Sequence, residues 1–160
     1  MTSEKIAAKF VDISEYLKKA DDIQKALKEA QHLLTLDHRN IVKLESVFIL
    51  RKQIVIFMEY VEGGELKELI AAKATPYLEK DAKKIMKILI SAIEYIHSHN
   101  IVHRDLKLEN ILLSVKNDYL SMRIIDFGIS GLLSTVGGGE KVQAGTLMYS
   151  PPEVITKKKL

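Results

Sequence analysis

From Lys5 to Ile13 the chain reads KIAAKFVDI, where residues alternate as on an extended strand. Ile6, Ala8 and Phe10 fall on one face and Ala7, Lys9 and Val11 on the other. The period then changes. In ADDIQKALKEAQHLLTL, Ile23, Ala26, Leu27, Ala30, Leu33 and Leu34 recur at helical spacing, and Asp21 and Asp22 suit a helix start. HRN breaks that pattern. IVKLESVFIL and QIVIFMEY follow as two strands around a hairpin turn at Arg51-Lys52. After Gly63-Gly64, which permit a sharp bend, ELKELIAAK reads as a short helix. EKDAKKIMKILISAIEYIHSH reads as a long one, with Ala82, Ile85, Met86, Leu89, Ile93 and Ile96 along its buried stripe. NILLS and MRIIDFG are short strands, and Ser130 to Gly145 is rich in Ser, Thr and Gly. The pattern therefore predicts an α+β chain with a strand-rich part over 1–58, a hinge over 59–65 and a mainly helical part over 66–160.

Bulk properties exclude a few function classes. At 160 residues the chain has about the length of one domain. A formal charge of +3 is too small to argue for nucleic acid or a membrane surface. The absence of cysteine excludes disulfides and thiolate metal sites. The apolar runs IVIFM and IIDFGI are strand-sized, far short of the ~20 residues that span a bilayer. MTSEKIAAKF lacks the apolar core of a secretion signal. These features predict an intracellular globular protein, cytoplasmic or nuclear, with no nucleic-acid or membrane partner.

Chemistry concentrates in IVHRDLKLENILL, Ile101 to Leu113, where charged residues lie between two apolar segments. It fits H-R-D-L-K-x-x-N at all six fixed positions, a coincidence expected on the order of a few times per million chains this long. DFG, Asp126 to Gly128, ends the next apolar strand, and GTLMYSPPE, Gly145 to Glu153, follows. Alone, DFG and PPE are weak signals; in this order and spacing the three are strong.

The chain resembles the catalytic domain of eukaryotic protein kinases of the serine/threonine type, and HRDLKLENILL with IIDFG is most similar to the calmodulin-dependent and AMP-activated kinase group. The resemblance implies a bilobal fold in which three antiparallel strands and one helix form the small lobe. IAAK stands at the family's V-A-I-K and nominates Lys9 for the α- and β-phosphates of ATP. EAQHLLTLDHRNIVKL nominates Glu29 as the ion-pair partner of Lys9. FMEYVEGGEL aligns with the hinge: Met58 as gatekeeper, the backbones of Glu59 and Val61 at adenine, and Glu65 near the ribose. Leu112 joins this nucleotide-binding set.

The same resemblance assigns Asp105 to the proton of the substrate hydroxyl, a Ser or Thr of a protein, and Lys107 to the charge of the migrating phosphoryl group. Asn110 and Asp126 supply oxygen ligands for Mg²⁺. His103 is implied to be a packing residue, stacked with Phe127, Leu33 and Leu44. The other histidines, His32, His38, His97 and His99, show no metal-ligand spacing.

The departures carry expectations too. Only Met1 to Lys5 precede the IAAK strand, where the family places a glycine-rich loop on two further strands, and the helices that follow PPE in the family have no counterpart. A chain truncated in this way is expected to leave an open strand edge, to expose part of the long helix, and to be weakly active or inactive alone. Val142 occupies the position at which many relatives carry a phosphorylated Thr, so regulation at that site is not expected. Ser134, Thr135 and Thr146 remain, of which Thr146 is expected to shape the site around Asp105 and Lys107, and Glu140 is a candidate carboxylate for Arg104. Two readings stay open beside the enzyme: a shortened pseudokinase acting as a binding module, and an incomplete gene product. The sequence names no regulatory partner.

Overall fold

The computed structural model describes residues 5–12, 30–72, 78–127, 131–132, 146–150 and 152–155. Its N-terminal part is a three-stranded antiparallel sheet of β1 (Ile6–Asp12), β2 (Leu44–Ile49) and β3 (Gln53–Glu59), in the order β1-β3-β2. Ile6 lies opposite Glu59 and Asp12 opposite Gln53, so Lys9 pairs with Ile56. Residues in register share a face, which puts Lys9, Val11, Ile54 and Ile56 on one side of the sheet. That side is the buried one: Ile54 and Ile56 are fully enclosed and pack with Ala30, Val11, Val47 and Met58. Ala30 belongs to a helix, α1, described over 30–35. The opposite side leaves Phe10 and Phe48 exposed. The hairpin at Arg51-Lys52 is closed by Leu50 N–H donating to Gln53 O at 2.8 Å.

The C-terminal part is built from α2 (Leu66–Ala71), α3 (Glu79–Ser98), three two-to-three-residue strands β4 (Ile101–Val102), β5 (Ile111–Leu113) and β6 (Met122–Ile124), a strand β7 (Gly131–Leu132) and a short helix α4 (Pro152–Ile155). β5 pairs with β6, and β4 with β7. The β4–β7 pair lies partly inside the Ser/Thr/Gly-rich stretch, which composition alone marks as irregular. α3 corrects the expected stripe. Its buried residues are Ile85, Leu89, Ala92 and Ile96, spaced four, three and four, whereas Met86 and Ala82 are exposed and Ile93 is half-buried. Met86 sits ~100° around the helix from Ile85, outside the seam that joins the main core.

The two parts are stitched together. Ile41 to Lys43 lies outside β2 and runs beside β6: Val42 N–H donates to Ile124 O at 2.9 Å, and Ile124 N–H donates to Asn40 O at 2.8 Å. Buried Asn40 also donates through Nδ2 to Met122 O at 2.8 Å. One apolar core consequently holds Leu33, Leu36, Ile41 and Val42 together with Leu66, Ile85, Leu89, Ile111, Ile124 and Phe127. Gly63 fixes the connection between the parts. Its N–H donates to Leu113 O at 2.7 Å, and a Cβ there would stand 2.4 Å from that oxygen. Gly64, at φ +85°, takes the left-handed turn that brings the chain into α2.

Candidate active site

The loop between β4 and β5 is shaped by its own polar residues. His103 is buried at its start, its ring centroid 4.8 Å from that of Phe127. Its Nε2 donates to Ile125 O at 2.9 Å, and its Nδ1 receives Asp105 N–H at 3.3 Å, which fixes one neutral tautomer. Burial depresses its pKa, so the ring is uncharged near neutral pH. Arg104 turns the chain at φ 68°, a conformation that costs a non-glycine residue about 1 kcal/mol. A 3-10 turn, Leu108–Asn110, then carries the backbone into β5.

Inside this loop the Asp105 carboxylate is held on all sides. Oδ1 accepts from Thr146 N–H at 2.9 Å and from its hydroxyl at 3.0 Å. Oδ2 accepts from Lys107 Nζ at 2.8 Å and from Asn110 Nδ2 at 3.1 Å. Asn110 Nδ2 also donates to Asp105 O at 2.8 Å, and Lys107 donates to Thr146 Oγ1 at 2.7 Å. Burial acts to raise the Asp105 pKa, but the hydrogen bonds from Lys107 and Thr146 outweigh it and bring the value down to about 2. Asp105 raises the Lys107 pKa in return. The result is an ionised carboxylate, 13% exposed, in a fixed orientation.

Across from it, β6 runs into Asp126, also in the left-handed region at φ 62°. Ile125 N–H donates to Asn110 O at 3.0 Å, which puts Asn110 beside the residue preceding Asp126. Lys9 reaches down from β1 and its Nζ lies 2.9 Å from Asp126 Oδ1. Both side chains are more than a third exposed, so the pair contributes about 1 kcal/mol at most. Its significance is positional: it brings a cation from the sheet to a carboxylate 117 residues away.

Of the residues nominated from sequence, Asp105, Lys107 and Asn110 converge on one network, and Lys9 and Asp126 meet beside it. Glu65 and Leu112 form an antiparallel bridge next to Gly63 and Leu113. Val61 is half-buried against the main core. The Glu59 side chain accepts from Arg123 Nε at 2.9 Å and from Lys43 N–H at 3.1 Å. Its own N–H donates to Lys43 O at 3.0 Å. Glu29, Gly128, Ser134, Thr135, Glu140 and Val142 lie outside the described residues. Leu33, Phe127 and His103 are buried with Leu44 half-buried against the same core, joining the sheet to the loop. Arg123 was not anticipated, because nothing local in MRIIDFG marks it as a partner for a residue 64 positions away.

The structure thus sets a carboxylate, a lysine and an asparagine in one network, with a lysine from the antiparallel sheet alongside. The chain belongs to the protein kinase domain family, which matches residues 1–160. It is 40% identical over 157 residues to the SNF1-like protein kinase ssp2 of Schizosaccharomyces pombe, covering 98% of this chain and 26% of that protein. It is 39% identical over 155 residues to myosin light chain kinase A of Dictyostelium discoideum, covering 96% of this chain and 51% of that one. To calcium-dependent protein kinase 6 of Plasmodium berghei it is 43% identical over 134 residues, 84% of this chain and 9% of the relative. The chain thus spans about half or less of the length of these relatives.

Membership of this family implies ATP as substrate together with a divalent metal ion. The donor set fits such an ion: Asn110 directs its Nδ2 at Asp105, which leaves Oδ1 for another partner, and Asp126 supplies a carboxylate beside it. Two hard oxygen donors are few for an all-protein cage but suffice when phosphates and water complete the shell. Among the described residues there is no cluster of three His, Cys, Asp or Glu side chains, and no helix is long and apolar enough to cross a membrane.

Proposed function

We propose that this chain carries the catalytic core of a serine/threonine protein kinase, which transfers the γ-phosphoryl group of Mg-ATP to a hydroxyl of a protein substrate. The observation that carries this reading is the Asp105 carboxylate, ionised and fixed by Lys107, Asn110 and Thr146, with Lys9 and Asp126 alongside. Each Asp105 oxygen already accepts two hydrogen bonds. An arriving hydroxyl therefore takes up a position that Lys107 now holds on Oδ2, while the ammonium turns toward the transferring phosphoryl group. Asp105 orients the hydroxyl and accepts its proton, and Thr146 keeps the carboxylate plane from rotating. Asn110 and Asp126 would hold Mg²⁺, which when bound offsets phosphate charge. Lys9, released from Asp126, binds phosphate oxygens. The backbones of Glu59 and Val61, with Leu112 and Glu65, supply the adenosine pocket. The part before residue 59 acts as the small lobe, 59–65 as the hinge and the remainder as the large lobe.

The test is transfer of labelled phosphate to a mixed serine and threonine peptide pool by the full-length protein. Asp105→Asn is expected to lower the rate about 10²- to 10⁴-fold while leaving thermal stabilisation by Mg-ATP in place. Equal rates for the two proteins would overturn the assignment.

A further inference from the structure

His38 lies in the connector between α1 and β2, outside the network around Asp105. Its ring stacks on Tyr95 of α3, with centroids 5.0 Å apart and planes 29° from parallel. Tyr95 in turn lies against His99 at 4.3 Å. Two backbone donors complete the joint: Asp37 N–H donates to Tyr95 Oη at 3.0 Å, and Asn40 N–H donates to His38 Nδ1 at 3.1 Å. The second bond needs a lone pair on Nδ1, so it exists only while the imidazole is neutral. Asn40 is also the residue that bonds Met122 through its side chain and Ile124 through its carbonyl. One ring nitrogen therefore stands at the start of the ladder that ties the N-terminal part to β6, the strand that leads into Asp126.

The surroundings offer the ring a second position. His38 lines a cavity of about 330 Å³ together with Ser91, Glu94, Tyr95 and Ser98. Ser91, Glu94 and Ser98 share one face of α3 at helical spacing, and Glu94 is the acidic side chain of the set. Burial, then Arg39 on its own connector and Arg123 on β6, oppose a charge on the ring where it now stands and hold its pKa below the ordinary 6.5. Asp37 flanks the ring in the connector, and His99 lies behind Tyr95. Inside the cavity an imidazolium has room to turn and gains a carboxylate partner.

We propose that His38 is a proton-operated latch between the two parts of the molecule: neutral, it holds the Asn40 amide and stacks on Tyr95; protonated, it turns into the cavity toward Glu94 and releases that amide. The sign is definite. The folded chain takes up this proton less readily than the unfolded chain, so the latch contributes its full stability above pH 6.5 and loses it as pH falls through the lower folded-state value. Release loosens the ladder from Asn40 to Ile124, and with it the placing of Lys9 against Asp126.

The experiment is amide hydrogen exchange, read by mass spectrometry on the full-length protein at about pH 7.5 and about pH 5, which bracket the histidine range. Wild type is compared with His38→Asn and His38→Phe. Asparagine offers the Asn40 amide an oxygen in an Asx turn and does not titrate; phenylalanine keeps the stacked ring but has no acceptor. At the higher pH, wild type and His38→Asn are expected to protect segments 40–43 and 122–124 equally, and His38→Phe about tenfold less. At the lower pH, wild type is expected to fall about tenfold below His38→Asn. Comparison at equal pH cancels the chemical pH dependence of exchange and the protonation of His32 and His103, which both proteins share. Glu94→Gln removes the acid-state partner and is expected to move the wild-type transition to lower pH. Equal protection of wild type and His38→Asn at the lower pH, or a transition unmoved by Glu94→Gln, overturns the proposal. NMR titration of the His38 ring in wild type needs no substitution at that site, and a midpoint at or above 6.5 would overturn it equally.

Discussion

At Asp105 the balance of forces is legible atom by atom. Burial opposes ionisation, and three hydrogen bonds, one from Lys107 and two from Thr146, favour it by more together with the Lys107 charge, so the folded-state pKa of about 2 lies below the ordinary 3.8. The sign follows from proton counts. Below pH 3.8 the unfolded chain binds a proton that the folded chain still refuses, so stability from this group is present above 3.8 and is lost as pH falls toward 2. Urea midpoints measured against pH should show this acid-limb loss in wild type and a smaller one in Asp105→Asn. Thr146 takes part in the same balance. Thr146→Val removes one donor to Asp105 and the acceptor for Lys107, and is expected to raise the Asp105 pKa and slow transfer about tenfold. The apparent acid pKa of kcat/KM would report the first effect, and a rate and pH profile like those of wild type would discount any role for the hydroxyl. This residue scale was partly readable beforehand. Asp105 and Asn110 are five positions apart and bonded through a local turn, whereas Thr146 reaches Asp105 across 41 positions.

At the scale of elements, the contact between Gly63-Gly64 and β5 sets the distance between sheet and helices. Gly63→Ala would drive a methyl group to 2.4 Å from Leu113 O, a carbonyl that cannot yield without breaking the bond it accepts from Gly63 N–H. The expected loss is about 2 kcal/mol or more, measured by chemical denaturation. Gly64→Ala should cost about 1 kcal/mol, from its positive φ alone. For β1, β3 and α3 the element type followed from period, but the buried stripe of α3 did not, nor did β4, β7 and α4. Met86 and Ile85 are apolar neighbours in sequence, and only the packing of α3 on the core decides which of them is enclosed.

For the molecule as a whole, the site depends on two parts meeting. Lys9 to Asp126, Arg123 to Glu59 and the Asn40–Ile124 ladder all cross between them. A nucleotide that binds both sides stabilises the folded state by mass action, about 2.7 kcal/mol at a hundredfold excess over Kd. Mg-ATP is therefore expected to raise the melting temperature of the protein. Asp126→Asn should remove most of the magnesium-dependent part of that shift and Lys9→Ala most of the nucleotide-dependent part, as scanning calorimetry with ATP alone and with Mg-ATP would show. No shift in wild type under either condition would remove the support for nucleotide binding between the parts.

What the sequence alone determined is the set of local commitments. They are the periods that separate strand from helix, the glycines that permit tight turns, and the charged loop whose residue types at their spacing identify the family. These rest on interactions within a few residues, which short stretches encode. The tertiary structure alone decided which charges meet. Lys9 stands on Asp126, Lys67 occupies Glu109 and Arg123 holds Glu59, although each lysine or arginine had several nearer carboxylates in the sequence. Coulomb attraction is indifferent to chain order, so its partners are fixed only when packing of the core brings distant surfaces together.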